Sequence, residues 1–396
     1  MVSCMNDNYL KQDELKEKLQ VYLLQIKKNK RLSVEKTNEL RMFQEVVGLE
    51  AREGYFHGKY VKRLVVFMRG TGCAHATETG GCTFCGFYNA TNFGKRVSDE
   101  DYELQIKKVI ESNEINFFEY PIICLYNDGS LLNKKEISFD AVTHIFKLLN
   151  HQDSVKKIVI ESRIEDITEE KLLKLKQITK KEIEIAVGFE SANEMIRELC
   201  INKSFSNTYF EKVYKVAISM GISIIPLLMI KPPYLTELEA IDDYVESLLY
   251  LEKFNFQRID IELPTVEKDT LVHELWQRGM YTRLWFWSVI EILHLLQTTK
   301  FQTPLYISPQ NYSVPSEDKT SNCPNCDDQI YQAIDQFNRT GDISIFDSIE
   351  CMCKAAWKEQ LQNEVWEGDI PSRIEKSFEK LLESRKKNEK LGAEVS

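Results

Sequence analysis

The chain has no apolar run that approaches a membrane span, and its opening MVSCMNDNYLKQDELKEKL is too polar for a secretory signal. It also lacks a basic excess. A formal charge of −10 argues against a broad nucleic-acid-binding surface, although it leaves room for a local basic groove. Lysine is dense only in Lys27-Lys28-Asn29-Lys30-Arg31, a run that reads as a limited basic patch or as a solvated helix face. There is no internal repeat and no low-complexity linker. The cysteines lack the even spread of a disulfide-stapled secreted protein. Seven of the ten fall in two tight groups, the pattern of metal sites in a reducing compartment, while Cys4, Cys124 and Cys200 stand alone as structural residues. Together with 396 residues, 43% hydrophobic and 28% charged, these absences predict a soluble, cytoplasmic enzyme with one large core and a smaller unit.

Residues 1–60 read as a helical N-terminal extension, with Leu15, Leu19, Tyr22, Leu23 and Ile26 at three-and-four spacing. From 61 to 310, apolar β-branched runs at 61–68, 121–126, 157–161, 183–190, 222–230, 257–263 and 304–308 alternate with amphipathic stretches. That alternation predicts an α/β fold: a parallel sheet covered by helices, curled into a partial (β/α)6-type TIM barrel. Chemistry in such a barrel gathers at the C-terminal ends of the strands. Residues 311–396 read as a small, Cys-rich helical region that binds metal.

The first cysteine group, Cys73, Cys82 and Cys85 in RGTGCAHATETGGCTFCGF, follows the first barrel strand directly. Three thiolates on one loop can hold three irons of a 4Fe–4S cluster and leave the fourth open. An open iron suits S-adenosylmethionine, whose amino and carboxylate groups chelate it; an electron then cleaves the sulfonium to a 5′-deoxyadenosyl radical. The gap of eight residues between Cys73 and Cys82 is longer than is usual for such loops, whereas Cys82-Thr83-Phe84-Cys85 has the usual spacing. Phe84 is placed to lie against the adenine. A zinc site would need a fourth ligand, for which only His75 is near, and an inert loop is the remaining alternative.

The other strands also end in polar residues. Asn127-Asp128-Gly129-Ser130 forms a tight turn, Glu161 and Arg163 end the third run, and Asn202, Lys203 and Lys231 follow later ones. An acceptor for the cofactor's amine, a cation for its carboxylate and an acceptor for its ribose are thereby available. Near the C-terminus, Cys323, Cys326, Cys351 and Cys353 supply four thiolates in two short-spaced pairs, able to close a tetrahedral zinc site or hold a second cluster. The helix after Cys353 is expected to pack Trp357 on the barrel.

The segments RGTGC…GGCTFCGF, NDGSLLNKKEI, ESRIE, VGFESANEMIRE…INKSF, KPPYLTELEAIDD and LVHELWQRGMYTRLWFWS resemble, in order, the radical-SAM subunit of archaeosine synthase. That family is related to the radical-SAM portion of the Elongator catalytic subunit. The resemblance implies a lysine-modified 7-deazaguanine in tRNA as substrate, with a C–N bond of the lysine moiety broken. It implies a partner enzyme that loads the lysine and an electron donor of flavodoxin or ferredoxin type. Carried over, Cys73, Cys82 and Cys85 hold the cluster. Phe84, Asn127, Asp128, Gly129, Ser130, Glu161, Arg163 and Lys203 bind the cofactor, and Asn202, Lys231, Trp285 and Trp287 face the substrate. Two other readings stay open: the same chemistry on a small molecule or peptide in a natural-product pathway, and a non-catalytic, metal-stapled RNA-binding or scaffold protein.

Overall fold

The computed structural model describes residues 2–37, 42–57, 59–310 and 314–394. A long helix α1 (Val2–Thr37) leads into an antiparallel hairpin of β1 (Gly48–Phe56) and β2 (Lys59–Phe67), in which Gly48 faces Phe67 and Phe56 faces Lys59. Residues 48–56 therefore depart from the expected helical extension. In GLEAREGYF the more exposed positions are Ala51, Glu53 and Tyr55, a period of two, and Gly54 disfavours a helix.

After β2 come α2 (Ala74–Thr79), α3 (Asp99–Ile110), β3 (Ile122–Tyr126), α4 (Phe139–Asn150), β4 (Lys157–Glu161), α5 (Glu169–Ile178) and β5 (Glu182–Gly188). The chain continues through α6 (Asn207–Ser219), β6 (Ser223–Met229), α7 (Glu237–Glu252), β7 (Ile259–Glu262), a short β8 (Thr265–Glu267), α8 (Leu271–Trp276), α9 (Phe286–Gln297) and β9 (Leu305–Ile307). One curled sheet runs β1-β2-β3-β4-β5-β6-β7-β9, parallel from β2 onward, and its two edge strands do not pair. Each expected run coincides with a strand, and the barrel is open, as the strand–helix alternation predicts.

Strand parity divides the core. Ile123, Leu125, Ile158, Ile160, Ile183 and Ile185 pack outward beneath α3–α7, whereas Val65, Phe67, Ile122, Cys124 and Val159 fill part of the lumen. Ser98, Ser138, Thr168, Ser206, Thr236 and Thr270 cap the N-termini of α3–α8 through their side chains, satisfying amide donors that the helices leave open. The tail adds β10 (Ser316–Lys319), antiparallel to β8, and the helices α10 (Asp327–Thr340), α11 (Cys353–Asn363) and α12 (Ile370–Glu394). The expected stripe on α1 is buried against residues 196–201, Tyr234, α8, and Ile374, Phe378 and Leu381 of α12. Of the solitary cysteines, Cys124 and Cys200 are buried; the side chain of Cys4 lies outside the described residues.

Candidate active site

The loop carrying Cys73, Cys82 and Cys85 leaves the C-terminal end of β2 and is fixed on every side. Glu136 is buried, and its carboxylate accepts from the Ala74 amide at 2.8 Å and the Ser130 amide at 2.6 Å, tying the cysteine loop to the 127–130 turn. Burial pushes the Glu136 carboxyl up to about 8. Thr83 donates its amide to the Ile201 carbonyl and its hydroxyl to the Cys200 carbonyl. From above, α1 sends Lys27 down to donate to the carbonyls of Cys85 (3.1 Å) and Asp269 (3.0 Å). Gly80, at φ +86°, is where α1 crosses the loop: an added Cβ would sit 2.2 Å from the Leu23 Cβ. Neither Glu136 nor Lys27 was anticipated at the site; a buried charge gives no signal in the sequence.

The three loop thiols perturb one another electrostatically, yet among the described residues only the tail cysteines form a group of three or more whose sulfurs all lie within 4.8 Å of one another. Burial pushes all three loop thiols up, so a bound metal must displace their protons. His75 does not complete a zinc set. Its Nε2 lies 2.6 Å from the Asn202 carbonyl and its Nδ1 2.9 Å from the Thr79 hydroxyl, and burial lowers it to about 3. An open-iron cluster suits this donor set better than a single ion.

Beside the thiols, the 127–130 turn is held by Glu161, whose Oε1 accepts from the amides of Asn127 (2.6 Å) and Gly129 (3.2 Å). Burial, then Asp128, pushes Glu161 up to about 8. Asn127 is fully buried, and neither its Oδ1 nor its Nδ2 has a partner among the described residues. Such an orphaned amide signals a polar group that the protein is built to receive. Arg163, paired with Glu165 at 2.6 Å, is electrostatically coupled to Cys73 and Cys82. Lys203, paired with Glu190 at 2.5 Å, is coupled to Cys82. Two cations, an orphaned amide and a carboxyl next to the thiols fit a zwitterionic sulfonium. Asp128, at φ +56°, and Glu190, at +67°, hold left-handed backbone at strand ends, a strain common where side chains are aimed at a ligand.

Beneath the thiols lies a cavity with about 990 Å³ of empty space, part of it open to solvent. Phe84 and Cys85 line its upper end together with Asp128, Glu161, Glu190 and Glu267; Glu262, Asp260, Arg52 and Arg63 line it farther along. Glu267 accepts from the Gly86 amide at 2.6 Å, and burial pushes both Glu267 and Glu262 up to about 7.

The residues expected to face substrate lie elsewhere. The Asn202 amide donates to the carbonyls of Thr79 and Gly81 and accepts from Gln20, which makes it a brace for the cysteine loop. Lys231 is buried in an ion pair with Glu237 (2.6 Å) and donates to Thr282. Trp285 donates to Gln360, and Trp287 to the sulfur of Cys353 at 3.2 Å. None of the four lines the cavity; Lys231 is tied down within the barrel itself, and the two tryptophans join barrel to tail. In the basic run, Lys27 is buried, Lys30 pairs with Asp269 and Arg31 with Glu35. The run is thus largely committed to the protein itself.

In the tail, Cys323 lies 3.7 Å from Cys326 and 3.5 Å from Cys351, and Cys326 lies 3.7 Å from Cys353 (sulfur to sulfur). Four thiolates at a metal–sulfur distance of ~2.3 Å sit about 3.8 Å apart around one tetrahedral ion, so this group fits a single ion better than a cluster. The Cys353 amide, then Cys323, holds the Cys351 thiol down at about 7. Trp357 is buried and donates to Ser288, as expected of a residue seated on the barrel.

Thiols spread over a lumen that opens at the strands' C-terminal ends suit the making of a radical above a held substrate, and sequence comparison gives the same answer: the protein is a radical S-adenosylmethionine enzyme. No family model matches the chain. It is 31% identical over 310 residues to archaeosine synthase subunit beta of Methanosarcina acetivorans, spanning 78% of this chain and 87% of that one. The chain belongs to the archaeosine synthase subunit beta family. The Thermococcus kodakarensis subunit beta is 27% identical over 310 residues, 77% of this chain and 94% of its own. Among solved structures, Elp3 of Methanocaldococcus infernus overlays with a TM-score of 0.46 at 16% identity, covering 59% of each chain. Queuine lyase from Clostridium spiroforme, bound to SAM and queuine, overlays at 0.47 and 17%, covering 67% of this chain and 98% of its own.

Proposed function

We propose that the enzyme acts on a lysine-modified 7-deazaguanine in tRNA and breaks a C–N bond of the lysine moiety to leave archaeosine. The observation that carries this reading is the 31% identity to an archaeosine synthase subunit beta over most of both chains. When bound, the 4Fe–4S cluster and S-adenosylmethionine supply a 5′-deoxyadenosyl radical that takes a hydrogen from the substrate.

In this reading Cys73, Cys82 and Cys85 ligate the cluster. Asn127, with the 127–130 turn shaped by Glu161 and Glu136, receives the cofactor's polar end. Arg163 and Lys203 supply positive charge, and Phe84 lies against the adenine. Cys323, Cys326, Cys351 and Cys353 hold zinc, with Trp287 donating to one of the sulfurs. A flavodoxin- or ferredoxin-type protein delivers the electron, a partner enzyme loads the lysine, and the site of action is the cytoplasm.

The test is anaerobic reconstitution, followed by incubation with S-adenosylmethionine, reductant and RNA carrying the lysine-modified base. The expected products are 5′-deoxyadenosine and archaeosine-containing RNA. Formation of 5′-deoxyadenosine with no change in the RNA base would sink the substrate assignment and leave the radical chemistry in place. A more compact substrate is favoured by one observation: Lys27, Lys30 and Arg31 are engaged within the protein and offer little charge to phosphates. Turnover of the free modified base in place of the RNA would select that reading.

A further inference from the structure

The wall of the lumen far from the thiols carries an unusual arginine. Arg63 points inward from β2 and is 3% exposed, and its guanidinium makes no hydrogen bond or ion pair among the described residues. Its group lies over the Tyr306 ring, 4.9 Å from the centroid. Neighbouring cations are all matched: Arg52 with Glu50, Arg258 with Asp260 and Lys157 with Glu184. A buried, unpaired guanidinium costs stability, and a planar fork of donors fits a carboxylate two-point.

Position adds to chemistry. Arg63 lines the same cavity as Phe84 and Cys85, and it stands four residues before Phe67, so it lies about 13 Å down the strand from the mouth. A folded RNA cannot enter a cavity enclosed between the strands of one sheet, but an amino-acid arm projecting from a base can. Glu262, on β7, shares the lining with Arg63 and gives an ammonium group a carboxylate to meet.

We propose that Arg63 binds the carboxylate of an amino-acid arm on the substrate, so that the arm enters the lumen carboxylate first and its attachment to the base stays beside the thiols. The proposal rests on the substrate reading above and adds to it the orientation of the arm and the residue that selects for a carboxylate.

The experiment compares the reconstituted wild-type enzyme with Arg63→Gln and Arg63→Lys. One arm uses RNA carrying the lysine adduct against RNA carrying the decarboxylated 5-aminopentyl adduct; the other uses calorimetric binding of free lysine against cadaverine. Arg63→Gln should raise KM for the lysine adduct about 10- to 100-fold and leave the aminopentyl adduct unchanged, with partial recovery in Arg63→Lys. Equal effects on both adducts, or none, overturn the proposal and leave the tRNA reading standing. If wild type ignores both RNAs yet binds lysine over cadaverine in an Arg63-dependent way, the carboxylate site stands and the tRNA reading falls. If it neither turns over RNA nor prefers lysine, both fall.

Discussion

The two cysteine groups are built by opposite means. The tail quartet is local and closed: four sulfurs at 3.5–3.7 Å spacing on two short turns, sealed on one side by the Trp287 N–H. The loop triplet is wider and open, and nearly everything that fixes it comes from distant sequence: Glu136, Asn202, Lys27 and the α1 crossing at Gly80. A set of ligands that completes its own metal shell can staple a fold. One that leaves a metal position free must be held rigid by its surroundings, because the missing ligand no longer braces the geometry.

The largest effect that sharpens this contrast is at Cys82. Cys82→Ala should abolish cluster binding and 5′-deoxyadenosine formation while the tail keeps about one zinc per chain; metal analysis with iron and zinc quantified separately decides it. Next, Cys326→Ala should release the tail metal and lower stability by about 3 kcal/mol or more in chemical denaturation, with the iron content of the loop retained. If both metals vanish together, the two groups are one cooperative unit and the contrast fails.

A smaller effect is expected at Gly80, where an added methyl meets Leu23 and the backbone is left-handed. Gly80→Ala should cost about 1–3 kcal/mol and expose α1 to proteolysis, with zinc content unchanged. Unaltered protection of α1 would show that the crossing is loosely packed. The smallest change is Trp287→Phe. Losing the N–H donor to the Cys353 sulfur should weaken zinc roughly 10-fold in chelator competition, with cluster content untouched.

The strands were legible because a parallel sheet buried on both faces leaves continuous apolar runs, as in Ile122–Tyr126. The exception, Gly48–Phe56, is an edge strand whose half-exposed faces carry charges, so its period of two is masked. Cysteine spacing announced both thiol groups and separated three thiols from four. Position along the chain did not separate lumen residues from the rest: Lys231, Trp285 and Trp287 belong to segments that follow barrel strands, yet Lys231 turns to Glu237 of α7 and the two tryptophans turn to the tail. Arg63, Glu136 and Lys27 carry their meaning in what surrounds them once the chain has folded, and no local pattern marks that.

The seat of α1 has a consequence for the order of events during synthesis. The helix is made before the barrel, yet the residues that receive it, Ile196–Ile201, Leu271–Leu275 and Ile374–Leu381, emerge much later, and the Tyr22–Phe378 ring contact, 5.5 Å between centroids, joins segments some 350 positions apart. Contacts of such separation form late. Until α12 has emerged the cysteine loop is therefore uncovered on the side that α1 later seals, which leaves an interval in which a metal can reach the thiols before they are buried.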